Sequence, residues 1–109
     1  MIYHIVDYDY YFNQKLDEYF SENFQSDGFI HCSLISQINK VITTFFKGTK
    51  LNLIVLEIDE TLLKSKLKYE DIYNSNELFP HIYGSINKIS IANIIKLKKD
   101  NIGNYFFEI

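Results

Sequence analysis

The chain has 109 residues, a formal net charge of -3, 47% hydrophobic and 23% charged residues, nine Tyr, nine Phe, one Cys and no Trp. That length suffices for one hydrophobic core without disulfides or a structural metal, and that balance excludes a disordered segment. There is no basic face to neutralise a row of phosphates, so no general nucleic-acid binding is expected, and a lone cysteine excludes an internal disulfide or a paired-cysteine zinc knuckle. A reducing, cytoplasmic setting is the expectation. Met1 to Tyr10 lacks the positive start of a signal peptide, and no run approaches the ~18 apolar residues of a membrane span, so no membrane partner is expected. No protein partner is legible.

Ile2 to Val6 reads as a strand, with Ile2, His4 and Val6 on one face and Tyr3 and Ile5 on the other. Asp7 or Asp9 is placed to cap a helix through Phe20, in which Phe12, Leu16, Tyr19 and Phe20 fall at helical spacing. Ser26-Asp27-Gly28 signals a turn, and Phe29 to Cys32 a second buried strand. Ser33 is placed to cap a helix from Leu34 to about Phe46, with Ile35, Ile38, Ile42 and Phe45 or Phe46 as its apolar stripe and Gly48 as its stop. Leu51 to Ile58, apolar almost throughout, is the expected central strand, and Asp59 to Thr61 a turn. Lys66 to Glu70 reads as a strand with Leu67 and Tyr69 facing one way and Lys68 and Glu70 the other. Asp71 to Phe79 reads as a polar loop, and Pro80 leads into a rigid aromatic loop, His81-Ile82-Tyr83-Gly84. Lys88 to Leu97 and Tyr105 to Ile109 complete the sheet, with Lys96, Lys98 and Lys99 at an exposed strand end or turn. With no linker or repeat, the expectation is one domain over residues 1–109: a small α+β fold with a split β-sheet and two helices.

Histidine takes or gives a proton near neutrality more readily than any other side chain. His4, His31 and His81 each lie among Ile, Phe or Tyr, where an imidazole must find a hydrogen-bond partner or line a cavity. For one of them alone a satisfied core histidine is the plainer reading; for all three together a shared pocket is the alternative. His31 ends a strand and faces opposite to Ile30 and Cys32. Cys32 fits a small buried hydrophobe better than a nucleophile, and Ser33 fits a cap better than a nucleophile. Glu70 is a carboxylate candidate beside the reading of an ordinary exposed strand residue. Three imidazoles with an open position can also hold zinc. His31-Cys32-Ser33 fits the His-x-Ser unit of two-histidine phosphoesterases, but His81-Ile82-Tyr83 supplies no second copy.

Ile2-Tyr3-His4-Ile5, Gly28-Phe29-Ile30-His31-Cys32-Ser33 with Gln37 after it, Lys68-Tyr69-Glu70, and Phe79-Pro80-His81-Ile82-Tyr83-Gly84 together resemble the bacterial family called domain of unknown function 952. The resemblance runs nearly the whole chain and takes in Tyr19, the Leu51 to Asp59 strand and the Gly103 turn. The first helix departs from it: Tyr8 to Gln14 carries aromatic and polar residues where the family usually has tryptophan and alanine. The resemblance implies an ADP-ribosyltransferase-like fold, in which two small sheets form a cleft that grips NAD. It further implies that His4 holds a ribose, that His31 supports the nicotinamide end, and that Glu70 or His81 bonds a ribose hydroxyl, with Phe29, Ser33 and Tyr83 at the cofactor wall. The expected function is handling of NAD, as substrate or ligand, or of an ADP-ribose-like nucleotide, by an ADP-ribosyl transferase or NAD glycohydrolase. Glu70 would then stabilise the positive charge that appears on the ribose as nicotinamide departs. The alternatives are a non-catalytic nucleotide-binding module, a three-histidine metal site, and motifs that serve packing alone.

Overall fold

A computed structural model describes residues 1–14 and 17–108. In chain order the elements are β1 (Ile2–Asp7), α1 (Tyr8–Phe12), β2 (Glu18–Tyr19), α2 (Phe24–Asp27), β3 (Ile30–His31), α3 (Ile38–Phe45) and β4 (Leu53–Ile58). There follow β5 (Lys66–Glu70), β6 (Phe79–Tyr83), β7 (Ile86–Asn87), a single 3-10 turn at Lys88–Ser90, β8 (Ile91–Lys96), β9 (Lys98–Lys99) and β10 (Tyr105–Phe106). The architecture is mixed α and β, mostly strands, and no helix among the described residues is long and apolar enough to cross a membrane.

Two three-stranded antiparallel sheets organise the molecule, in the orders β1-β4-β8 and β3-β6-β5, with β2–β7 and β9–β10 as short pairs. As its apolar run requires, β4 is central in the first sheet, buried from Leu53 to Leu56 and again at Ile58. Strand alternation divides the core. Ile2 and Val6 of β1, with Ile54, Leu56 and Ile58 of β4, meet Ile30, Cys32 and Ile82 of the second sheet. Tyr3 and Val55 point the other way and are covered by Ile38 and Ile42 of α3 and by Phe107. The two faces of β1 are those expected.

Several expectations are corrected. The first helix stops at Phe12: Asp7 caps it, accepting the Tyr10 N–H at 3.3 Å, and Tyr19 belongs to β2 instead. Burial of the Tyr19 ring beside β1 overrides the helical spacing of its segment; Leu16 lies outside the described residues. Ser26-Asp27 closes the one-turn helix α2, with Gly28 at φ 81°, a left-handed cap that glycine adopts without a Cβ clash. Among the described residues three α-helices therefore stand where two were expected. Ser33 caps nothing, because its backbone N–H and C=O bond Tyr3 at 2.7 and 2.8 Å. The following helix begins at Ile38 without a side-chain cap; the Gln37 amide before it ties two loops, its Oε1 accepting the Leu34 N–H at 2.9 Å and its Nε2 donating to the Leu78 carbonyl at 2.8 Å. His81-Ile82-Tyr83 is the middle strand of the second sheet, not a loop; Pro80 joins it through its carbonyl, which accepts the Cys32 N–H at 3.0 Å.

Candidate functional site

The second sheet has one apolar and one chemical face. Ile30, Cys32, Ile82 and Leu67 turn toward the core. Alternation therefore sends Phe29, His31, His81, Tyr83, Lys68 and Glu70 to the opposite side. Antiparallel pairing sets His31 directly across from His81, and His81 across from Lys68. The two imidazole centroids are 5.6 Å apart at 75°.

His81 is 1% exposed, and the Phe29 ring stacks on it at 4.1 Å. Its Nδ1 lies 3.0 Å from Glu70 Oε1, which also accepts the Tyr83 hydroxyl at 2.5 Å. Hydrogen bonds from Tyr83 and then His81 hold the Glu70 carboxyl below its ordinary pKa, so it is an acceptor at neutral pH. The Nδ1 of His81 therefore donates to that carboxylate, and Nε2 is the nitrogen left free of it. Among the described residues Nε2 has no partner, yet no fully buried side-chain nitrogen or oxygen there is orphaned. Nε2 thus meets open space, and His81 lines a cavity of about 680 Å³.

His31 is held differently. Its Nε2 lies 3.1 Å from Oδ2 of Asp27, the last residue of α2, which leaves Nδ1 as its remaining nitrogen. Burial lowers its pKa, Asp27 opposes that shift, and His81 adds to it. His4 has no nitrogen to spare. Its Nδ1 is 2.7 Å from the His31 carbonyl, which can only accept, so Nδ1 carries the hydrogen and Nε2 accepts from the Tyr19 hydroxyl at 2.8 Å. Burial drives the His4 pKa down to about 4 and pushes the Tyr19 phenol up. His4 is therefore a neutral strut that ties the backbone under His31 to β1 and β2.

The cavity touches all three histidines and Ser33. Phe29, Glu70 and Tyr83 are not among its lining residues; they surround His81 from behind. Its far wall is α3, through Val41 and Phe45, with Tyr73 and Glu77 from the segment before β6. Such a volume is of nucleotide size. Among the described residues no three His, Cys, Asp or Glu side chains are gathered as a metal would need, and both His4 nitrogens are engaged. Cys32 is buried on the core face, where burial pushes its thiol pKa up. Sequence reasoning missed three functional partners: Asp27, taken for turn material; Tyr19, taken for a helix stripe; and Gln37, whose amide bridges the start of α3 to Leu78. For Asp27 helical spacing gives no signal, because the chain leaves α2 at Gly28 and His31 stands in β3.

Comparison with known proteins gives a consistent result. The family model described as protein of unknown function (DUF952) matches residues 10–96. The crystal structure of protein CC0527 from Caulobacter crescentus is similar over 96% of this chain and 92% of that one, at 27% identity and a TM-score of 0.79. The solution structure of the same protein matches over 94% and 88%, at 27% identity and a TM-score of 0.73. No curated protein matches the chain.

Proposed function

Because the chain belongs to the DUF952 family, whose description assigns no activity, we propose its function from the site itself: an enzyme that handles a nucleotide of the NAD or ADP-ribose class in the histidine cleft, on an ADP-ribosyltransferase-like scaffold. The observation that carries this reading is the open Nε2 of His81, backed by Glu70 and presented to a nucleotide-sized cavity. A carboxylate that fixes the imidazole tautomer and steadies the imidazolium makes such a nitrogen a general base.

The reaction proposed is cleavage of an N-glycosidic bond. The bond between the anomeric carbon and the base nitrogen breaks, and its electron pair leaves with the base. An oxygen of water or of an acceptor hydroxyl bonds to that carbon, and its proton passes to Nε2 of His81. Positive charge on the ribose in between is offset by a carboxylate. Asp27, which lines the cavity, is better placed for this than Glu70, whose Oε1 already accepts two hydrogen bonds. His31, beside His81, then orients a hydroxyl.

Titration calorimetry with NAD, ADP-ribose and nicotinamide, followed by assay for free nicotinamide, tests the reading. We expect binding with nicotinamide release, and loss of release in His81→Ala. Absence of binding by all three overturns it. A binding module without turnover is the second reading, favoured by His4 being fully engaged within the fold; it predicts binding with no release.

A further inference from the structure

The cavity's charges are unequal. Asp7, Glu22, Asp27 and Glu77 line it against a single described lysine, Lys40. The Lys40 Nζ lies 2.8 Å from Glu77 Oε2, so those two charges cancel, and Asp7, Glu22 and Asp27 remain. Asp7 accepts the Tyr10 and Asn52 N–H groups, which hold the carboxylate in place without adding a full positive charge. The cleft is therefore anionic, with Asp27 beside His31 and Asp7 beside Asn52. The rest of its wall includes the apolar and aromatic Phe45, Phe46, Leu51 and Tyr73. The Phe45 and Tyr73 rings lie 6.1 Å apart and are 59% and 52% exposed. A polar side chain that is otherwise buried, His81, lines the same space with its Nε2 unpartnered among the described residues.

A pyrophosphate brings two negative charges toward these carboxylates and meets no unpaired lysine among the described lining residues. Like charges within about a Debye length, ~10 Å at 0.1 M salt, repel with appreciable energy. A planar cation gains on both counts, because it is drawn to the carboxylates and its ring faces suit aromatic walls. An N-ribosylated pyridinium has this character: a cationic ring, hydroxyls to bond, and a neutral leaving base. We infer that the cleft selects a phosphate-free, cationic N-ribosyl heteroaromatic base of the nicotinamide riboside type, and takes NAD poorly and ADP-ribose worst. This rests on the proposed N-glycosidic activity and narrows it to nucleosides.

The test compares nicotinamide riboside, NAD and ADP-ribose by calorimetry and by base release, at low and at physiological salt. Nicotinamide riboside should bind at least about tenfold tighter than NAD at low salt, a difference of about 1.4 kcal/mol. Added salt should weaken the riboside and strengthen ADP-ribose, as screening requires. Glu22→Gln should shrink the preference a few-fold; Glu22 is exposed and a melting curve checks its fold. NAD or ADP-ribose binding as tightly as the riboside overturns the nucleoside assignment while the proposed nucleotide chemistry stands. Binding of none of the three overturns both.

Discussion

His31 and His81 face each other across β3 and β6 with ring centroids 5.6 Å apart, and each is fixed by a carboxylate from a different element, Asp27 at 3.1 Å and Glu70 at 3.0 Å. The two pairs are not equivalent. Asp27 engages the Nε2 of His31, whereas Glu70 engages the Nδ1 of His81, so opposite nitrogens are left for a ligand. The arrangement gives one buried imidazole an unpartnered nitrogen at the cleft and places a second, more exposed one beside it.

His81→Ala should lower base release by about 10²- to 10⁴-fold, the usual worth of a positioned general base, with binding largely kept. Glu70→Gln keeps an acceptor for Nδ1–H but no charge to steady the imidazolium, so we expect a smaller loss of about 10- to 100-fold. Tyr83→Phe removes one of the two bonds to Glu70 Oε1 and should cost only a few-fold. Steady-state rates paired with calorimetric affinities check the order. Full activity in Glu70→Gln would remove the dyad from the mechanism.

The legible part of this protein was its local alternation. Ile2, His4 and Val6 against Tyr3 and Ile5 reported a strand buried on both faces, and Lys66 to Glu70 gave the bounds of β5. Partners distant in sequence were not legible. Nothing local tells that His31 pairs with His81, because strand register is set by packing of Ile30 against Ile82 on the reverse face. Ser33 has the chemistry of a helix cap, but its backbone pairs with Tyr3 and the helix begins only at Ile38, after Gln37, with no side-chain cap. Pro80 reads as a loop marker, and it stands in a middle strand where its carbonyl, not its missing N–H, makes the bond to Cys32. Tyr19 sits where helical spacing expects it to pack, and its hydroxyl instead completes His4.

His4 makes stability fall on acidification. Its folded pKa of about 4 lies below the ordinary 6.5, so between these values the unfolded chain binds a proton that the folded chain does not. Stability is thus full above pH 6.5 and is lost as pH falls toward 4. At about 1.4 kcal/mol per pH unit, the scale is roughly 3 kcal/mol. His31, whose pKa is also lowered, adds loss of the same sign. Urea denaturation across pH 4 to 7 should show this slope, and His4→Gln should flatten it. Tyr19→Phe strands a buried ring nitrogen and should cost about 1 to 3 kcal/mol at pH 7.

Gly84 ends the strand that carries His81, and it is there for space. A Cβ at that position would meet Ser65 Oγ at 2.5 Å and Ser65 Cβ at 2.9 Å. Ser65 cannot easily swing aside, because its hydroxyl donates to the Ser85 carbonyl at 2.6 Å. Gly84→Ala should therefore destabilise by about 1 to 3 kcal/mol. Adding Ser65→Gly should restore part of this, and the double-mutant cycle measures the coupling. Independent losses from the two substitutions would mean that the contact is not the cause.

Cys32 follows His31 directly and invites the reading of a nucleophile, but it turns to the core face, 4% exposed, beside Ile30 and Ile82. Only a thiolate attacks, and burial raises the pKa of this thiol, so the reactive form is scarce at neutral pH. A maleimide or aromatic disulfide probe should leave the native protein unmodified over a period in which the urea-unfolded chain reacts fully. Cys32→Ala should cost about 1 to 2 kcal/mol by opening a small void, while base release stays within a few-fold of the parent. Rapid labelling of the folded protein, or loss of turnover without loss of stability in Cys32→Ala, would bring Cys32, which also borders the cavity, into the chemistry.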